Sequence, residues 1–221
     1  MSIETLSLAS LMPPIALSVT ATLALVLSDQ RGFRPGRYLC KPLAAVAFVW
    51  LALNLGAEAT TYGNWLLAGL IFCMVGDLFL MPDNEHSFLV GLTAFLCGHL
   101  LFAVAFLQLP LNVTGLAVSA IPVACLLLMV CRWLLPHVER AMKLPVIAYI
   151  FVISAMLMCA GLTAGHAIAP VAIVGAWGFA LSDLAVARGQ FVAPQSKTSG
   201  LWGTPLYFAS QMLLAASVAL A

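Results

Sequence analysis

"FLVGLTAFLCGHLLFAVAF", residues 88 to 106, runs for nineteen positions without an Asp, Glu, Lys or Arg. Coiled as an α-helix at 1.5 Å per residue it is roughly 28 Å long, close to the ~30 Å of a bilayer's hydrocarbon core. The run is continuously apolar and does not alternate, so it reads as a membrane-spanning helix and excludes a strand of a membrane barrel. Composition extends this reading to the whole chain. Hydrophobic residues make up 63% of its 221 positions and charged residues only 8%, against roughly 25% charged in soluble domains.

Breaks at Gly, Pro and charged residues divide the rest into similar segments. The expected spans lie near 8–28, 42–57, 65–81, 88–109, 113–134, 144–162, 168–187 and 202–221, which makes residues 1–221 one all-α integral membrane domain of eight transmembrane helices. The first run has only Glu4 before it and no basic segment, so it reads as a retained helix and not a cleaved signal. All nine basic residues (Arg31, Arg34, Arg37, Lys41, Arg132, Arg140, Lys143, Arg188 and Lys197) then fall at one end of the bundle. The positive-inside rule makes that end cytoplasmic and both termini external, in what is expected to be a bacterial inner membrane. A 4+4 repeat of parallel halves is a further possibility, because Lys41-Pro42 precedes Asp77 by much the same interval as Lys143, with Pro145, precedes Asp183.

Two carboxylates interrupt otherwise apolar spans, Asp77 in "MVGDLFLMP" (74–82) and Asp183 in "FALSDLAVA" (179–187). Both lie four or five residues from the expected cytoplasmic ends, roughly 6 to 8 Å deep. Ionisable groups at such depth face a bundle interior or a wet cavity. Small residues accompany each, Gly69, Cys73 and Gly76 beside Asp77, and Gly175, Gly178 and Ser182 beside Asp183, at the spacing that lets helices approach closely. The bland reading is that each Asp only pairs with a basic residue or caps a helix end. The functional reading is a shared acid–base site on two inner helices.

The elements "KPL" (41–43), "GDLFLM" (76–81), the run at 88–106, Pro145 to Tyr149, "GAWGFALSDLAVA" (175–187) and "PLYFASQML" (205–213) together resemble the lysoplasmalogenase family of multispanning membrane hydrolases (YhhN-like). The resemblance implies cleavage of the vinyl ether bond of lysoplasmalogens to a fatty aldehyde and a glycerophospho-alcohol, with Asp77 and Asp183 as the acidic catalytic residues. Vinyl ether hydrolysis needs a proton on the β-carbon, an oxocarbenium-like species and an attacking water, a course that paired carboxylates serve in glycosidases. One protonated and one ionised Asp would suffice, with a lysophospholipid as the partner in the bilayer, no nucleic acid and no cofactor.

Other polar residues in the spans are candidates for binding or support. His99, eleven residues into its run from Phe88, is expected about 16 Å deep, well below the carboxylates, as a supporting partner and not an acid or base. Tyr149, Ser182, Tyr207, Gln211 and Asn54 could line the same cavity or simply bond between helices. Lys41 is either an orientation signal that snorkels to the interface or an anion's partner at the mouth of the site. The six cysteines have no metal-type spacing and read as packing residues. Asp83, Glu85 and His86 read as an exposed acidic turn, not a metal site. Two rivals remain: an intramembrane aspartyl protease, on the partial match of "VGD" (75–77), and, more weakly, a proton-coupled transporter.

Overall fold

The computed structural model describes residues 8–194 and 196–221. It is all-helical among those residues, with eight long helices in chain order: α1 Leu8–Arg31, α2 Arg34–Asn54, α3 Thr61–Phe79, α4 Glu85–Phe106, α5 Val113–Leu134, α6 Arg140–Leu162, α7 Ala169–Ala187 and α8 Thr198–Ala216. All eight are long and apolar enough to cross a membrane.

Five of the eight helices, α2, α3, α4, α6 and α8, begin earlier than the apolar runs do. α2 starts at Arg34, eight residues before the expected start, because Pro35 stands in its first turn, where a missing N–H costs nothing. Pro42 therefore lies inside a helix and does not open it, and Lys41 is seven residues, about 10 Å, from the helix start. Capping explains two other early starts: Thr60 accepts a hydrogen bond from Gly63 N at 3.0 Å before α3, and Asn84 one from Ser87 N at 2.8 Å before α4. Pro145 and Pro205 likewise lie within α6 and α8. Beyond Ala187 the coil of α7 continues as a π turn, Arg188–Val192, so that Asp183 stands nine residues, about 13 Å, from the end of the helical path.

α3 packs chiefly on α4, and α7 on α8. The small residues expected beside the aspartates form these two seams. A Cβ on Gly98 would lie 2.7 Å from the Cys73 sulfur, and one on Gly76 2.7 Å from the Phe95 ring, while Gly178 lies directly against Ser210. The two acid-bearing helices are thus not each other's main neighbours; α4 and α8 fill the space between them. α7 and α8 are the most buried spans and α5 the most exposed.

Exchanging α1–α4 with α5–α8 turns the contacts α1·α2, α2·α3, α3·α4 and α4·α6 into α5·α6, α6·α7, α7·α8 and α8·α2, all of which are present, whereas α1·α8 has no comparable counterpart in α4·α5.

Candidate active site

Asp77 comes from α3, Asp183 from α7, and both line one cavity of about 220 Å³ toward the end of the bundle that carries the basic residues. The two acids have matched surroundings. Asp77 receives the Lys41 ammonium (α2) at 3.2 Å on Oδ1 and a hydrogen bond from Tyr207 OH (α8) at 2.7 Å on Oδ2. Asp183 receives a hydrogen bond from Tyr149 OH (α6) at 3.0 Å on Oδ2, with His99 Nε2 (α4) 3.3 Å from the same oxygen. Under the exchange of halves α2 corresponds to α6 and α8 to α4, so Lys41 answers to Tyr149 and Tyr207 to His99. The numbering agrees: 149 − 41 = 108 and 207 − 99 = 108, beside 183 − 77 = 106.

Lys41 is a carboxylate's partner here, its side chain only 15% exposed, and does not snorkel outward. Asp77 is 2% exposed and Asp183 13%, so Asp183 is the more accessible acid.

The Nδ1 of His99 lies 2.7 Å from the Phe95 carbonyl oxygen, which can only accept, so Nδ1 carries a hydrogen. Its Nε2 faces Asp183 Oδ2 at 3.3 Å without the alignment of a hydrogen bond. The ring is locked by stacking on Phe179, with centroids 4.1 Å apart, and by an edge contact with Tyr149. His99 therefore touches Asp183 and does not lie below it.

The remaining sequence candidates separate. Ser182 lines the cavity, but its hydroxyl donates to the Phe179 carbonyl at 2.7 Å. Gln211 is off the cavity wall: it is fully buried one turn beyond Tyr207, beside Cys73, and among the described residues neither its amide nitrogen nor its oxygen has a well-formed hydrogen bond. Asn54 is remote, thirteen residues or about 20 Å along α2 from Lys41, and donates to the Ser10 carbonyl at 2.8 Å. Asp83 pairs with Arg34 at 3.0 Å and Arg37 at 3.8 Å, which ties the acidic turn to the first turn of α2.

Sequence reasoning missed the rest of the cavity wall. Phe88, Leu92, Val130, Leu134, Val146 and Ile150 make one side apolar, and Ser199, Gly200 and Thr204 at the start of α8 bring polar groups to it. Nothing in the sequence distinguishes these apolar residues from lipid-facing ones.

The YhhN family model matches residues 36–218. The chain belongs to the YhhN family. Among curated relatives it is 31% identical over 193 residues to the Lysoplasmalogenase TMEM86A of Bos taurus, covering 80% of this chain and 75% of that protein. It is 32% identical over 191 residues to the Lysoplasmalogenase TMEM86B of Mus musculus, covering 84% and 76%. A Lysoplasmalogenase of Mycobacterium tuberculosis is 34% identical over 161 residues, covering 69% of this chain and 59% of that protein. No solved structure matches the chain.

Proposed function

We propose that this YhhN-family protein is a lysoplasmalogenase whose two aspartates have unequal roles: Asp183 donates the proton and Asp77 works ionised. The observation that carries this reading is the difference between the two matched environments. Where Asp77 has the Lys41 ammonium, Asp183 has the neutral Tyr149 phenol. A cation at 3.2 Å favours a carboxylate, whereas Asp183 accepts from a neutral phenol and has His99 Nε2 3.3 Å from the same oxygen, a partner able to accept or return a proton.

The chemistry follows in balanced steps. Asp183 protonates the vinyl carbon β to the ether oxygen, and the neighbouring carbon becomes an oxocarbenium stabilised by ionised Asp77. Water adds to it, one of its protons returning to the now ionised Asp183. The resulting hemiacetal collapses, its hydroxyl losing a proton as the glycerol oxygen gains one, to fatty aldehyde and glycerophospho-alcohol. General acid–base catalysis of this kind contributes about 10² to 10⁴-fold. A cavity of about 220 Å³ holds roughly seven water volumes, room for the glycerol and vinyl ether, while the chain runs along the apolar wall of Val130, Leu134, Val146 and Ile150. The basic end of the bundle is cytoplasmic in this account, so the lipid is cleaved on the inner leaflet side of a cytoplasmic membrane.

The test is incubation of the purified protein with a lysoplasmalogen and with its saturated-ether analogue, assaying aldehyde. Release from the vinyl ether alone is expected. Release from both, or from neither, contradicts the assignment.

A further inference from the structure

Arg188 opens the π turn that extends α7, five residues and about 7.5 Å beyond Asp183 along the helix. Its Nη1 donates to three hydroxyls of the segment entering α8: Thr198 at 2.9 Å, Ser199 at 3.1 Å and Ser196 at 3.4 Å. Among the described residues no carboxylate pairs with it, and its Nη2 and Nε make no hydrogen bond, whereas Arg34 and Arg37 are both matched to Asp83. Ser199, only 7% exposed, lines the same cavity as the two aspartates, as do Ala187, Gln190 and Gly200 around it.

This is a cation held against Ser199 of the cavity wall, with no described partner on Nη2 or Nε of its fork. An arginine fork matches two oxygens of a phosphate. The hydroxyl of Ser199 accepts from Arg188, so its own hydrogen is available to a third oxygen. We propose that Arg188 and Ser199 form a phosphodiester subsite that fixes the substrate's phosphate while its vinyl ether lies at Asp183. This rests on the lysophospholipid reading above and adds to it the contact that recognises the phosphate.

Binding tests this without requiring turnover. The purified protein in an uncharged detergent, free of other phospholipid, is titrated with a non-cleavable saturated-ether lysophospholipid and with the 1-alkylglycerol of the same chain. Wild type is expected to bind the phosphorylated ligand more tightly. Arg188→Gln should remove about tenfold or more of its affinity while leaving the alkylglycerol unchanged, and Arg188→Lys should fall between, because it keeps the charge and loses the fork. Equal losses for both ligands would reveal a merely structural arginine. No loss in detergent, with a loss appearing only in anionic vesicles, would assign Arg188 to bilayer phosphates. Either result overturns the subsite. A protein that showed the expected binding but released no aldehyde from a vinyl ether would keep the subsite and lose the proposed reaction.

Discussion

Asp77 and Asp183 line one cavity and each accepts a tyrosine hydroxyl, but their second partners differ: an ammonium 3.2 Å from Asp77, an imidazole nitrogen 3.3 Å from Asp183. Unequal surroundings of this kind let two identical side chains hold opposite protonation states, which is the basis of the proposed pairing of one acid with one base.

Removal of either acid tests whether both are needed. Asp77→Asn and Asp183→Asn should each lower turnover by at least ~10²-fold, the low end for acid–base catalysis, with insertion and expression retained because Asn keeps size and polarity. Assay of aldehyde release beside folded yield in detergent checks it, and near-wild-type rates in either variant would exclude that residue.

Partner substitutions should be unequal. Lys41→Met leaves Asp77 buried without its cation, whereas Tyr149→Phe removes one hydrogen bond, worth ~1 kcal/mol or about fivefold. Turnover should therefore fall much further in Lys41→Met, with Lys41→Arg retaining part of it. The reverse order in kcat would contradict the roles assigned to the two acids.

The helix seams position the acids. Gly98→Ala would place a methyl 2.7 Å from the Cys73 sulfur and 3.2 Å from the Gly69 carbonyl oxygen. Forcing α3 and α4 apart should cost ~1 to 3 kcal/mol, the usual range for overpacking, seen as a lower thermal midpoint in detergent and accompanied by lost activity.

The pH dependence of kcat should be bell-shaped, since one acid must hold a proton and the other must not, and its limbs belong to the coupled pair. A rate that only rises or only falls across the stability range would argue against a mixed protonation state.

Much of this architecture is legible in the sequence because lipid imposes simple rules. Span length and the segregation of nine basic residues yield eight helices, and carboxylates inside apolar runs point to Asp77 and Asp183. The starts of α2 and α8 are not legible from hydropathy, since polar residues such as Arg34 and Thr198 continue a helix past the apolar run. Depth counted along separate helices misplaces His99, because it does not show which side chains of α4 and α7 meet. Asn54 could have been excluded by counting turns along α2. Gln211 could not, because a lone polar residue in a span does not reveal whether it meets a cavity or a neighbouring thiol.

Central to the account is that a fixed carboxyl delivers a proton to carbon. Hydrolysis of a lysoplasmalogen in D2O, with the aldehyde trapped at once by reduction, reads this directly from the configuration at the carbon next to the new alcohol. Delivery from Asp183, held by Tyr149 on one side of the cavity, predicts one deuterium on one face and hence a single enantiomer. A racemic label would mean that an enol leaves the protein and is protonated by solvent, and would contradict the mechanism.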